Sequence, residues 1–166
     1  MHIVDLVASD ATAVRATLPV VARIQSPDLS LPTPCAEWDL AHLLAHMTVQ
    51  HHGFAAAAAG HGADPEIWRL PPPGDDPVRD YTRSAESVLA AFAEPGVADR
   101  SFQLPEITPG PVPGRLAISM HLVDYVVHGW DVAHTLGIAY ELPPEVLAVT
   151  LHIAESVPDE IGRAHV

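Results

Sequence analysis

Asp124 and His128 stand four residues apart in a segment otherwise dominated by Leu, Ile, Val, Met and Trp. On a helix that spacing puts both side chains on one face, one turn apart. A carboxylate and an imidazole are costly to bury in such surroundings unless they pair or share a metal ion. His121 lies three residues before Asp124 on the same stripe. A second segment offers His46, one turn after His42, at the edge of its own apolar face. Two imidazoles and a carboxylate from facing helices make an open metal site, in which three protein ligands leave a position for water or substrate. The competing reading is a buried Asp124–His128 ion pair that only fixes the packing. On spacing alone that plainer reading leads.

Neighbouring residues carry weaker signals. Asp131 lies one turn beyond His128 and either orients a ligand imidazole or is simply a polar helix position. His42 and His121, each one turn from a proposed ligand, are candidates for a fourth ligand or a general base, with a pocket or surface position the leading reading for each. With Asp131 they make up the catalytic candidates. His51 and His52 are adjacent, point differently and read as solvated. Cys35 has no basic neighbour in sequence to lower its pKa, so it reads as an anchor of its connector. Trp38 is expected to pack at a helix entrance and Trp130 against a neighbouring helix, with lining a pocket the alternative for either.

Five helices position these residues. The first is expected from about Ile3 to Ile24, with a kink or break at Pro19. A Pro-rich connector leads to the second, which starts after Asp39 as N-cap and runs to about Ala59, before Gly60. The third begins with Asp75 or Asp76 as cap and Pro77 in the first turn. Its stripe is Val78, Tyr81, Ala85, Val88 and Phe92, and Pro95 and Gly96 close it. The segment SFQLPEITPGPVPG has room for an extended stretch but not for a central strand. The fourth helix runs from about Arg115 to Leu136. Being apolar nearly all round, it is expected to be the most buried. A short fifth spans about Pro144 to Val157 and stops at Pro158. The fold class is therefore an all-α bundle with an additional short C-terminal helix and a long Pro-rich crossover loop. Its domain covers residues 1–158, and 159–166 form a tail.

Bulk properties narrow the partners. The chain has 166 residues, 48% of them hydrophobic, which suits one domain with one core. A formal net charge of -13 with 8 Lys+Arg excludes the basic footprint that nucleic acid or an anionic membrane requires. One cysteine allows no internal disulfide, and the N-terminus shows no basic region leading into an apolar core. A cytoplasmic protein is expected. A homodimer is possible for a bundle with so apolar a helix.

The segments TPCAEWDLAHLLAHM and HLVDYVVHGWDVAHTLG resemble the two hallmark segments of the mycothiol-dependent maleylpyruvate isomerase N-terminal family. That family lies within the DinB-like metal-binding four-helix bundles. The first segment matches in Thr33-Pro34-Cys35, Trp38 and the Leu44–His46 stretch. The second matches in Asp124, His128 and Gly129-Trp130-Asp131. The intervening PGPVPG resembles the family's loop before its second metal-binding helix. The likeness runs from Leu6 to about Ser156.

The resemblance implies that His46, Asp124 and His128 are the metal ligands, with zinc the ion their chemistry suits. Some members carry Glu where this chain has Asp124. Asp is one methylene shorter, which draws the ion towards the fourth helix. Mycothiol is the relatives' cosubstrate, so the resemblance implies a metal-dependent, thiol-using transferase or isomerase acting on a small molecule. The isomerases carry a further C-terminal domain, for which this chain has no residues to spare. The alternative is therefore a non-catalytic bundle that binds a metal or small ligand.

Overall fold

A computed structural model describes residues 5–157. The expectations placed on Ile3, Pro158 and the 159–166 tail lie outside the described residues. The all-α bundle and its five helices are as the sequence predicts.

Helix α1 is Leu6–Val21, and the Asp5 side chain caps it by accepting the Ala8 N–H at 3.0 Å. Pro19 neither breaks nor ends it. It sits in the last turn, the helix continues to Val21, and the Ala22 N–H closes onto the Leu18 carbonyl at 3.0 Å. A proline so near the end forfeits one hydrogen bond and little else.

Helix α2 is Leu40–Ala58, with the Asp39 side chain accepting the His42 N–H at 2.9 Å. Gly60, at φ +88°, turns the chain out of it in a conformation other residues rarely adopt. Helix α3 is Pro77–Phe92, with Asp76 rather than Asp75 as its cap. Strand β1 (Ser101–Gln103) pairs antiparallel with β2 (Pro111–Pro113), Phe102 opposite Val112. This ribbon is the extended stretch of the Pro-rich segment, and it belongs to no larger sheet among the described residues.

Helix α4 is Gly114–Leu136 and ends where Gly137 turns left-handed at φ +67°. Helix α5 is Pro144–Ser156.

Helix α1 packs chiefly on α4 and α2 chiefly on α3, while α2 also faces α4 across the bundle. Leu40, Leu43, Leu44, Met47, Tyr81, Val88, Ile118 and Tyr125 form a solvent-free core between them. The α2–α4 facing is what brings the two proposed ligand segments together.

One expectation about α4 fails. It has 11 buried residues out of 23, whereas α2 has 11 out of 19. Leu116, Val127 and Trp130 of α4 are each close to half exposed. Trp130 is thus less buried than core packing would make it, and it lines an open groove together with Leu147 of α5. Its ring stacks on His134 of its own helix, centroids 4.8 Å apart. Among the described residues no helix is long and apolar enough to cross a membrane.

Candidate metal centre

Helix α2 carries His46 and helix α4 carries Asp124 and His128. One ligand atom from each of the three lies within 4.8 Å of the other two. His128 Nε2 and Asp124 Oδ1 lie 3.2 Å apart. The His46 and His128 rings meet edge to face, centroids 5.3 Å apart. A tetrahedral zinc ion about 2.0–2.2 Å from each donor holds neighbouring donors roughly 3.3–3.5 Å apart. The nitrogen and oxygen donor set and the spacing of the α4 pair thus fit such an ion. Trp38 packs its ring on His46, at 4.7 Å between centroids, so it does wall the helix entrance as expected.

Each face of the His128 imidazole has its own carboxylate. Nε2 faces Asp124, and Nδ1 lies 3.0 Å from Asp131 Oδ2. Burial pulls the His128 pKa down, but the hydrogen bonds and charges of Asp124 and Asp131 outweigh it and raise the value to about 9. For Asp124, burial pushes upward. The His128 hydrogen bond and charge, then His46 and His121, hold its carboxyl below the usual range.

Cys35 donates its S–H to Asp131 Oδ2 at 3.5 Å. Burial, then the Asp131 carboxylate, push the thiol up to about 11. Cys35, His128 and Asp131 also bring three donor atoms within 4.8 Å. An ion there would take the other nitrogen of His128, so a neutral imidazole cannot serve both sets at once.

The ligand set opens into a cavity of about 210 Å³, walled by Phe54, Ile107, Met120, Val123, Ile153 and Val157. A larger, more open groove of about 570 Å³ lies alongside and shares Val127 with it. That groove contains Trp130 and Tyr140 but none of the three ligands.

The family described as Mycothiol maleylpyruvate isomerase N-terminal domain matches residues 11–133. The chain belongs to that family. The matched span holds both proposed ligand segments, and the helical architecture is the family's DinB-like bundle. Two curated proteins of Mycobacterium tuberculosis, Uncharacterized protein Rv0738 and Uncharacterized protein MT0763, are also similar. Each is 29% identical over 140 residues, 83% of this chain and 71% of the relative.

Within this family framework the other predicted residues separate. Asp131 adjoins His128, in the position of an orienting partner. His42 does not join the candidate ligand group. It is exposed and stacks on Trp38, centroids 4.6 Å apart.

His121 shares the α4 stripe but turns into the core. It is fully buried, with Nδ1 2.6 Å from Asp10 Oδ1 and Nε2 3.1 Å from His51 Nδ1. Both nitrogens are engaged within the core, which corrects the expected pocket or surface position and does not place His121 as a fourth ligand or general base. His51 is a second correction. It is fully buried, with Nε2 3.2 Å from the Tyr81 hydroxyl, which meets Thr17 Oγ1 at 2.5 Å. Its partners come from α3 and α4, which adjacency to His52 does not show.

Gln50 is the cavity residue that the sequence reading missed. Its position four residues after His46, on the same face of α2, was the available signal.

Proposed function

We propose that this protein is a metal-dependent, thiol-using transferase or isomerase, with His46, Asp124 and His128 holding a divalent ion, zinc by donor chemistry. The observation that carries this reading is the convergence of three donor atoms within 4.8 Å at an apolar cavity. Three protein ligands leave a coordination position open towards that cavity. When bound, zinc would lower the pKa of a coordinated thiol or water and so supply a nucleophile near neutral pH.

The chain's own residues do the rest. Asp131 holds the proton on His128 Nδ1, which leaves Nε2 as the donor facing the ligand set. The apolar wall excludes water from the reacting groups. Family membership makes a mycothiol-type, low-molecular-weight thiol the natural cosubstrate.

The test is elemental analysis of untagged protein, followed by turnover with and without added thiol. Stoichiometric zinc, lost in His46→Ala together with thiol-dependent turnover, is expected. A His46→Ala protein that keeps its metal and its activity ends this reading. The 3.2 Å His128–Asp124 contact favours one rival, a metal-free core ion pair. That rival requires no metal after purification and a melting temperature unmoved by a chelator.

A further inference from the structure

The cavity beside the proposed ligands has a charge character that the ligand set does not dictate. Its walls are side chains of Phe54, Ile107, Met120, Val123, Ile153 and Val157. Among the described residues, the one polar side chain that lines it besides the three proposed ligands is Gln50, whose Nε2 donates to Glu106 Oε2 at 3.1 Å. Among the described residues, the carboxylates at the wall or hydrogen-bonded to it are Asp124 and Glu106. None of the arginines among the described residues lines it, and the sequence contains no lysine. A divalent ion bound by two neutral imidazoles and the Asp124 carboxylate keeps one net positive charge. One thiolate cancels that charge. A dicarboxylate would then meet mostly apolar walls on which none of the described residues supplies a cation to balance its two charges, which is costly. At about 210 Å³ the space is also smaller than the roughly 300–1,000 Å³ of ordinary ligand pockets.

We infer that this cavity takes a small, neutral, apolar electrophile of about one aromatic ring and turns away dicarboxylates. The inference rests on the metal-and-thiol reading above and names the class of its second substrate. Val123, on α4 one residue before Asp124, is a specificity-determining position in it.

The experiment uses the full chain loaded with zinc and saturated with 2-mercaptoethanol, which supplies the charge-cancelling thiolate, and compares 4-nitrotoluene with maleate by calorimetric titration. 4-Nitrotoluene is expected to bind at least tenfold more tightly. Val123→Phe, which fills the cavity without adding charge, is expected to weaken it at least tenfold with zinc retained. Cobalt-loaded wild-type protein gives a measurement independent of that variant's folding. NMR lines of bound 4-nitrotoluene should broaden beside the paramagnetic ion. Maleate binding as tightly, no saturable binding of 4-nitrotoluene, or binding without cobalt broadening overturns the inference. Zinc affinity in the same samples separates the two failures. Absence of zinc binding sinks the metal reading, and the two titrations on the metal-free chain still decide the cavity's preference.

Discussion

Asp131 Oδ2 sits 3.0 Å from His128 Nδ1, on the opposite side of the imidazole from Asp124. A carboxylate there fixes which nitrogen carries the proton and which way the ring points, and raises the ring's basicity. Asp131→Ala should weaken zinc binding about 10- to 100-fold. Competition titration against a chromophoric chelator measures this, with circular dichroism confirming an intact fold. An unchanged affinity would make Asp131 merely a polar helix residue.

His121→Ala addresses the residue that turned out to face the core. It leaves the Asp10 carboxylate, 1% exposed, without its 2.6 Å partner. Breaking a buried pair in this way costs about 3–5 kcal/mol. The expected result is a large drop in denaturation midpoint with zinc stoichiometry unchanged in the folded fraction. Loss of zinc at full stability would restore His121 as a ligand.

His51 sets a pH dependence. Burial first, then the nearby His121 and His52, hold its pKa well below the ordinary 6.5. The unfolded chain therefore takes up a proton that the folded chain refuses. This contribution to stability is intact above about pH 6.5 and is lost as the pH falls below it. The melting temperature should fall between pH 6.5 and 5. His51→Phe keeps the stacking on Tyr125, at 3.8 Å between centroids, and should flatten that fall while lowering the plateau. A slope unaltered by His51→Phe would assign the acid sensitivity elsewhere.

Cys35 should be a slow nucleophile. With its thiol at about 11, the thiolate fraction near neutral pH is about 100-fold or more below that of an ordinary cysteine. Iodoacetamide should alkylate the folded protein at least that much more slowly than it alkylates glutathione. Unfolding in urea should restore the ordinary rate. Fast alkylation of the folded chain would contradict the Cys35–Asp131 contact.

Gly114 tests how α4 is launched. A Cβ there would run into the Val97 carbonyl oxygen and come 2.9 Å from Phe102 Cε1 and 3.0 Å from the Arg100 carbonyl oxygen. The backbone half of that clash cannot rotate away. Gly114→Ala should destabilise by about 1–3 kcal/mol, the usual cost of overpacking, measured by urea denaturation. A neutral or stabilising result would mean that the β2–α4 junction yields easily.

Local chemistry made much of this protein legible in its sequence. Asp39 before Leu40, Asp76 before Pro77 and Gly137 after Leu136 mark helix ends because capping depends on residues a few positions apart. The i, i+4 spacing of Asp124 and His128 likewise determines that they share a face. Tertiary structure alone decided which histidines face which partners. His121 and His128 occupy one helix, yet one meets Asp10 of α1 in the core and the other faces Asp124 towards the cavity. His51 looked solvated because its partners, Tyr81 and His121, lie 30 and 70 residues away. Helical periodicity tells which residues share a stripe, but not which neighbouring helix that stripe meets. For that reason α4, apolar nearly all round, left Val127 and Trp130 half exposed, and the packing of α2 across from it brought His46 to Asp124 and His128.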